Sequence, residues 1–71
     1  MKVKLIDAAG QHVTTFCAGA REFERWMADV ADEFFNSGGC AEVLNDRDVR
    51  FFTNAAQSRA QLRANIRTAA I

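Results

Sequence analysis

The sequence predicts a single α+β domain spanning residues 1–71, in the order ββαββα, with a four-stranded, largely antiparallel sheet and two helices. Three observations carry that expectation. Short runs of β-branched and aromatic residues come in two pairs, each joined by a few turn-forming residues. Each pair is followed by a segment with apolar residues at helical spacing or a composition rich in strong helix formers. No proline occurs, and the four glycines stand at positions 10, 19, 38 and 39, so no linker or low-complexity tract divides the chain.

Residues 2–7 and 12–17, rich in Val, Leu, Ile, Thr and Phe, flank Ala8-Ala9-Gly10-Gln11 and read as a β-hairpin. Gly19 is a permissible N-cap with Glu22 at the third helical position. Phe23, Trp26, Met27, Val30 and Phe34 then recur every three to four residues, which predicts one helix. It closes at Asn36-Ser37-Gly38-Gly39, where glycine can take the left-handed conformation. A second hairpin follows, with strands at 41–44 and 49–53 around the turn Asn45-Asp46-Arg47-Asp48. Asn54 and Gln57 resemble a capping box, and the Ala-, Gln- and Arg-rich run to Ile71 favours a second helix.

A displacement of 36 residues lays Val13 on Val49, Phe16 on Phe52, Trp26 on Leu62 and Val30 on Ile66; a displacement of 38 lays Leu5 and Ile6 on Val43 and Leu44. This suggests an internal repeat of two ββα halves related by a pseudo-twofold axis.

At 71 residues the core must offset about 1.5 kcal/mol of conformational entropy per residue, so the margin is thin. A hydrophobic fraction of 49%, with six Phe and one Trp, supplies the material, alone or as an oligomer. The opening residues match neither a signal peptide nor a membrane span, and a cytoplasmic location is expected. Cys17 and Cys40 form no CxxC motif and are too few for a disulfide framework; both are expected reduced and partly buried.

Chemistry is sparsely provided. His12 is the lone histidine and reads as a solvated strand-end residue. Asp29, Asp32 and Glu33 are close enough on the first helix to suggest a cation or acid/base pair, but helical projection sets them opposite Phe23, Val30 and Phe34, facing water. The 45–48 turn lacks the glycine and distal glutamate of a calcium loop, and no phosphate-binding glycine loop, nucleophile elbow or HExxH motif occurs. No catalytic residue, metal or cofactor is therefore expected, and the chain reads as a non-enzyme.

Surfaces say more. Residues 1–48 hold five cations against nine acids, a net −4, whereas residues 49–71 hold four arginines and no acid, a net +4. Arg59, Arg63 and Arg67 follow one another at intervals of four and form a stripe on the second helix. The stripe can complement the helix dipole, pair with the acids of the first helix, or meet a phosphate backbone or acidic protein surface.

The sheet has apolar residues for both faces. If Val3, Leu5, Val13, Val43, Val49 and Phe51 pack on the helices, then Ile6, Phe16, Leu44 and Phe52 emerge opposite, barring a bulge. Phe35 projects about 100° from the centre of the first helix's apolar stripe and adds to the surplus. One helix on each side of the sheet, a homodimer joined sheet to sheet, or a heterologous partner can cover it. Lys2, Lys4, His12 and Arg50 would share the far face with those aromatics, as on some RNA-binding sheets, but the strand order and motifs of an RNA recognition motif or KH domain are absent.

The reading is thus a small non-enzymatic binding protein, a regulator, inhibitor or accessory subunit of the size that phages and plasmids carry. It would engage a protein partner through Arg50, Arg59, Arg63, Arg67, Phe16, Phe35 and Phe52. The alternative is a nucleic-acid-binding module using the same arginines, which the zero net charge and pI of about 6.5 disfavour.

Overall fold

In the computed structural model, which describes residues 1–45, 47, 50–53 and 58–70, the elements run β1 (Lys2–Ile6), β2 (His12–Cys17), α1 (Arg21–Asp29), α2 (Ala31–Asn36), β3 (Cys40–Leu44), β4 (Arg50–Thr53) and α3 (Ser58–Ala69). The strands form one antiparallel sheet in the order β2-β1-β3-β4, the α+β architecture that the sequence predicts. Val49, the Asn54 and Gln57 pair, and Asp46 and Asp48 of the second turn lie outside the described residues.

Asp7, expected in the first strand, organises the first turn instead. Its Oδ1 accepts the backbone N–H groups of Ala9 at 3.0 Å and Gln11 at 2.9 Å. Its own N–H donates to the Gln11 carbonyl at 2.9 Å, so one carboxylate holds the loop shut.

Ile6 pairs with His12, but Leu5 pairs with Thr14, so the register shifts between them and β2 carries one extra residue. Had the pairing at Ile6 and His12 run on unbroken, Val13 would oppose Leu5 and Phe16 would oppose Lys2. The bulge reverses both assignments. Phe16 opposes Val3 and packs on Phe23 and Trp26, whereas Val13 turns away from the core and is 54% exposed.

The single helix expected from a Gly19 cap begins one residue later, with Ala20 as N-cap and no capping side chain, and is interrupted at Val30. Phe23, Met27, Ala31 and Phe35 are spaced by four, a row that drifts about 40° per step along an unbroken helix. The interruption returns the late members of the row to the sheet. Phe35 is consequently 2% exposed and no surplus aromatic, while Val30, expected in the apolar stripe, is 44% exposed. Phe34 is half-buried and meets Trp26 and Phe35 edge-on at ring-centroid distances of 5.6 and 5.7 Å.

Two glycines end α2 for different reasons. Gly38 has φ of +94° and donates to the Phe35 carbonyl, a left-handed closure. Gly39 lies so near the Phe34 ring that an added Cβ would stand 2.5 Å from it.

Phe23, Trp26, Met27, Ala31, Phe35 and Leu62 from the helices and Val3, Leu5, Ala41 and Val43 from the central strands share one core. All three helices therefore lie on one face of the sheet, which removes the arrangement with one helix on each side. Asn65, buried on α3, ties that helix to β4: its Nδ2 donates to Thr53 Oγ1 at 2.8 Å, and its Oδ1 accepts from Gln61 Nε2 at 2.9 Å.

The halves are related as the sequence suggests, though not throughout. β1 and β3, the first strands of each half, lie side by side with Lys4 opposite Glu42, a register symmetric under the 38-residue displacement. Val3 opposes Phe16 and Ala41 opposes Thr53, so the equivalent of Phe16 is Thr53 and that of Thr15 is Phe52. The alignment of Phe16 on Phe52 is therefore out by one residue in the sheet.

Candidate functional site

Two of the three stripe arginines pair with acids of α1 and α2, and all three remain exposed. Arg63 forks onto Glu24 of α1, with Nη2 to Oε1 at 2.8 Å and Nη1 to Oε2 at 3.2 Å. The hydrogen bond from Arg63, aided by its charge, holds the Glu24 carboxyl below its ordinary range, and the same bond raises Arg63 above its own. Arg59 spans the helix break: its Nε lies 3.0 Å from Asp32 Oδ1 on α2, and its Nη1 donates to the Met27 carbonyl of α1 at 3.2 Å. An arginine thus takes up a carbonyl near the end of α1 and pairs with an acid in the first turn of α2.

These two ion pairs edge a cleft of about 540 Å³ between α1–α2 and α3, with Met27, Ala28 and Ala60 also lining it. Among the described residues the cleft is lined by no titratable group beyond those pairs. Arg67 stands in the last turn of α3, beside Ala18, Phe23 and Ile66, where its charge complements the helix dipole.

Among the acids singled out in the sequence, Asp29, Asp32 and Glu33 are exposed, and Asp32 is committed to Arg59. No group of three or more metal-ligating side chains occurs among the described residues. His12 is exposed, and its Nε2 lies 2.8 Å from Thr15 Oγ1. Cys40 is half-buried; Cys17 is exposed rather than partly buried, because the bulge sets it on the uncovered face with Val13 and Thr15. No helix among the described residues is long and apolar enough to cross a membrane.

The sheet face that no described helix covers is the more distinctive surface. Its central cross-strand row runs Thr15, Lys4, Glu42, Phe52, and the adjacent row runs Cys17, Lys2, Leu44, Arg50. Phe52 is 58% exposed, while Ile6 and Leu44 are half-buried, the latter between Lys2 and Arg50. Glu42 is unlike the rest. Flanked by Lys4 and Phe52, its side chain is only 9% exposed and lies 3.5 Å from Arg50 Nε. Sequence reasoning missed Glu42 because nothing local marks an acid that cross-strand neighbours will cover.

The structure therefore keeps Phe52 and Arg50 together on one surface, packs a half-buried Phe16 against the core, buries Phe35 within it, and places Arg59 and Arg63 across the helix cleft. Comparison of the chain with known protein families, with curated proteins and with solved structures returns no match.

Proposed function

We propose that the protein is a small non-enzymatic binding module, a cytoplasmic regulator, inhibitor or accessory subunit, and that the uncovered sheet face receives a partner protein. The observation that supports this reading is the exposed Phe52 at the margin of a face on which, among the described residues, Lys2, Lys4 and Arg50 outnumber the acid Glu42. An aromatic anchor rimmed by charge is the usual makeup of a binding hot spot.

The net positive character of the face favours a partner that offers an apolar pocket bordered by acids. A second copy stacked on the same face would set Lys2, Lys4 and Arg50 against their counterparts. Stacking on nucleic acid would need more than the one aromatic that remains here once Phe16 joins the core. Arg59 and Arg63, already engaged with Asp32 and Glu24, are poorly placed to serve as phosphate ligands.

The test compares proteins captured from the native host by wild-type and Phe52→Asp baits with matching circular dichroism. A partner retained by the first and lost by the second supports the reading; a partner retained equally by both overturns it. A parallel titration with mixed-sequence DNA and RNA checks the alternative. Three phosphate contacts would weaken binding by about 40-fold between about 50 mM and about 200 mM salt, and no binding is expected.

A further inference from the structure

We infer that the outer edge of β2 pairs with the same edge of a second copy, extending the sheet across a twofold axis. The inference does not rest on the binding role of the uncovered face. Its basis is the direction of backbone groups along an unguarded edge. Ala18 N–H donates to the Met1 carbonyl at 3.2 Å, which continues the β1–β2 ladder one residue past Lys2 and Cys17. Because paired and unpaired residues alternate in an antiparallel ladder, Phe16 and Thr14 turn their N–H and C=O groups toward β1. Thr15 and Cys17 must then turn theirs outward. β2 is the terminal strand of the sheet, and no described strand meets its outer side.

Soluble proteins ordinarily protect such an edge with lysine, proline, a short strand or a covering element. The strand His12-Val13-Thr14-Thr15-Phe16-Cys17 has neither lysine nor proline and no permanently charged side chain, and its β-branched residues favour extended pairing. The bulge at its first end does bend the strand there, so the regular stretch from Thr14 to Cys17 is the one presented for pairing.

A second copy is the occupant that the chemistry favours. An uncharged strand meets its own copy without repulsion, whereas face-to-face stacking opposes like charges. The opposite edge, β4, is shorter, with four residues, and bears Arg50. Antiparallel pairing centred on Phe16 joins the outward backbone groups of Thr15 to those of Cys17 in the second copy and brings the exposed Thr15 and Cys17 side chains together across the seam. All helices of both copies then lie on one side of the extended sheet, and the two uncovered faces become a single surface.

Sedimentation velocity up to millimolar concentration tests this under reducing conditions. The expected result is a dimer whose Thr15 and Cys17 amides become protected from hydrogen exchange as concentration rises. Thr15→Pro removes an outward N–H that makes no bond within the sheet, so it should abolish the dimer with circular dichroism unchanged. Cys17→Lys places like charges within the pairing stretch at an already exposed position, should also give a monomer, and decides the matter alone if Thr15→Pro does not fold. Phe52→Asp should remain dimeric. A monomeric wild type at millimolar concentration, a dimer that survives Cys17→Lys, or a dimer that Phe52→Asp dissolves would each overturn the inference.

Discussion

The two faces of the sheet draw on the same kinds of residue and end in opposite conditions. On the covered face, Phe16, Phe23, Trp26, Phe34 and Phe35 form a connected aromatic cluster with centroid distances between 5.6 and 6.1 Å. On the other, Phe52 stands beside Glu42 and Arg50 without aromatic company among the described residues. Phe16 and Phe52 fill analogous places in their halves by sequence, yet one inserted residue in β2 sends them to opposite sides. A bulge costs little and moves a large side chain from solvent to core, so hydrophobicity alone does not say which aromatic is structural and which is available to a partner.

The strongest way to probe the comparison is to delete a ring from the covered side. Phe35→Ala should lower stability by about 3–5 kcal/mol, the range for a large aromatic truncated in a packed core, and in so small a domain this threatens folding outright. Denaturant titration measures it. A loss below about 1 kcal/mol would mean that Phe35 is exposed after all, as an unbroken helix requires.

A sharper comparison uses the pair itself. Phe16→Ala should cost about 1–3 kcal/mol, since a half-buried ring loses part of its transfer and contact energy. Phe52→Ala should change stability by less than about 0.5 kcal/mol. Equal losses would break the distinction between the faces, and reversed losses would restore the register without a bulge.

The smallest effect concerns the cleft between the helices. Glu24 has its pKa lowered in the folded protein, so its pairing with Arg63 contributes stability above the ordinary carboxylate range. That contribution fades as pH falls through the lowered folded value. Glu24→Gln should therefore flatten the acid limb of the stability profile while leaving the neutral fold intact. An acid limb identical to that of the wild type would show that the Arg63 pair is spent entirely on solvent-screened contact.

Local chemistry determined a good deal by itself. Two hairpins, helical segments after each, closure at Gly38 and Gly39, and the ββα halves all follow from strand propensity, apolar spacing and turn residues, which act over a few positions. The arginine stripe was legible in the same way, and its pairing with the acids of the first helix stood among the readings open for it. Tertiary structure alone decided the rest. The bulge opposite Ile6 set the face of Phe16 and Val13, because strand parity depends on a partner strand and not on the strand's own pattern. The break at Val30, spanned by Arg59 from a distant helix, set the burial of Phe35, because the helix must follow the sheet it covers. Glu42 and Asn65 became buried polar groups only once β4 and α3 lay beside them. In each case the deciding contact joins residues far apart in the chain, beyond the reach of any local pattern.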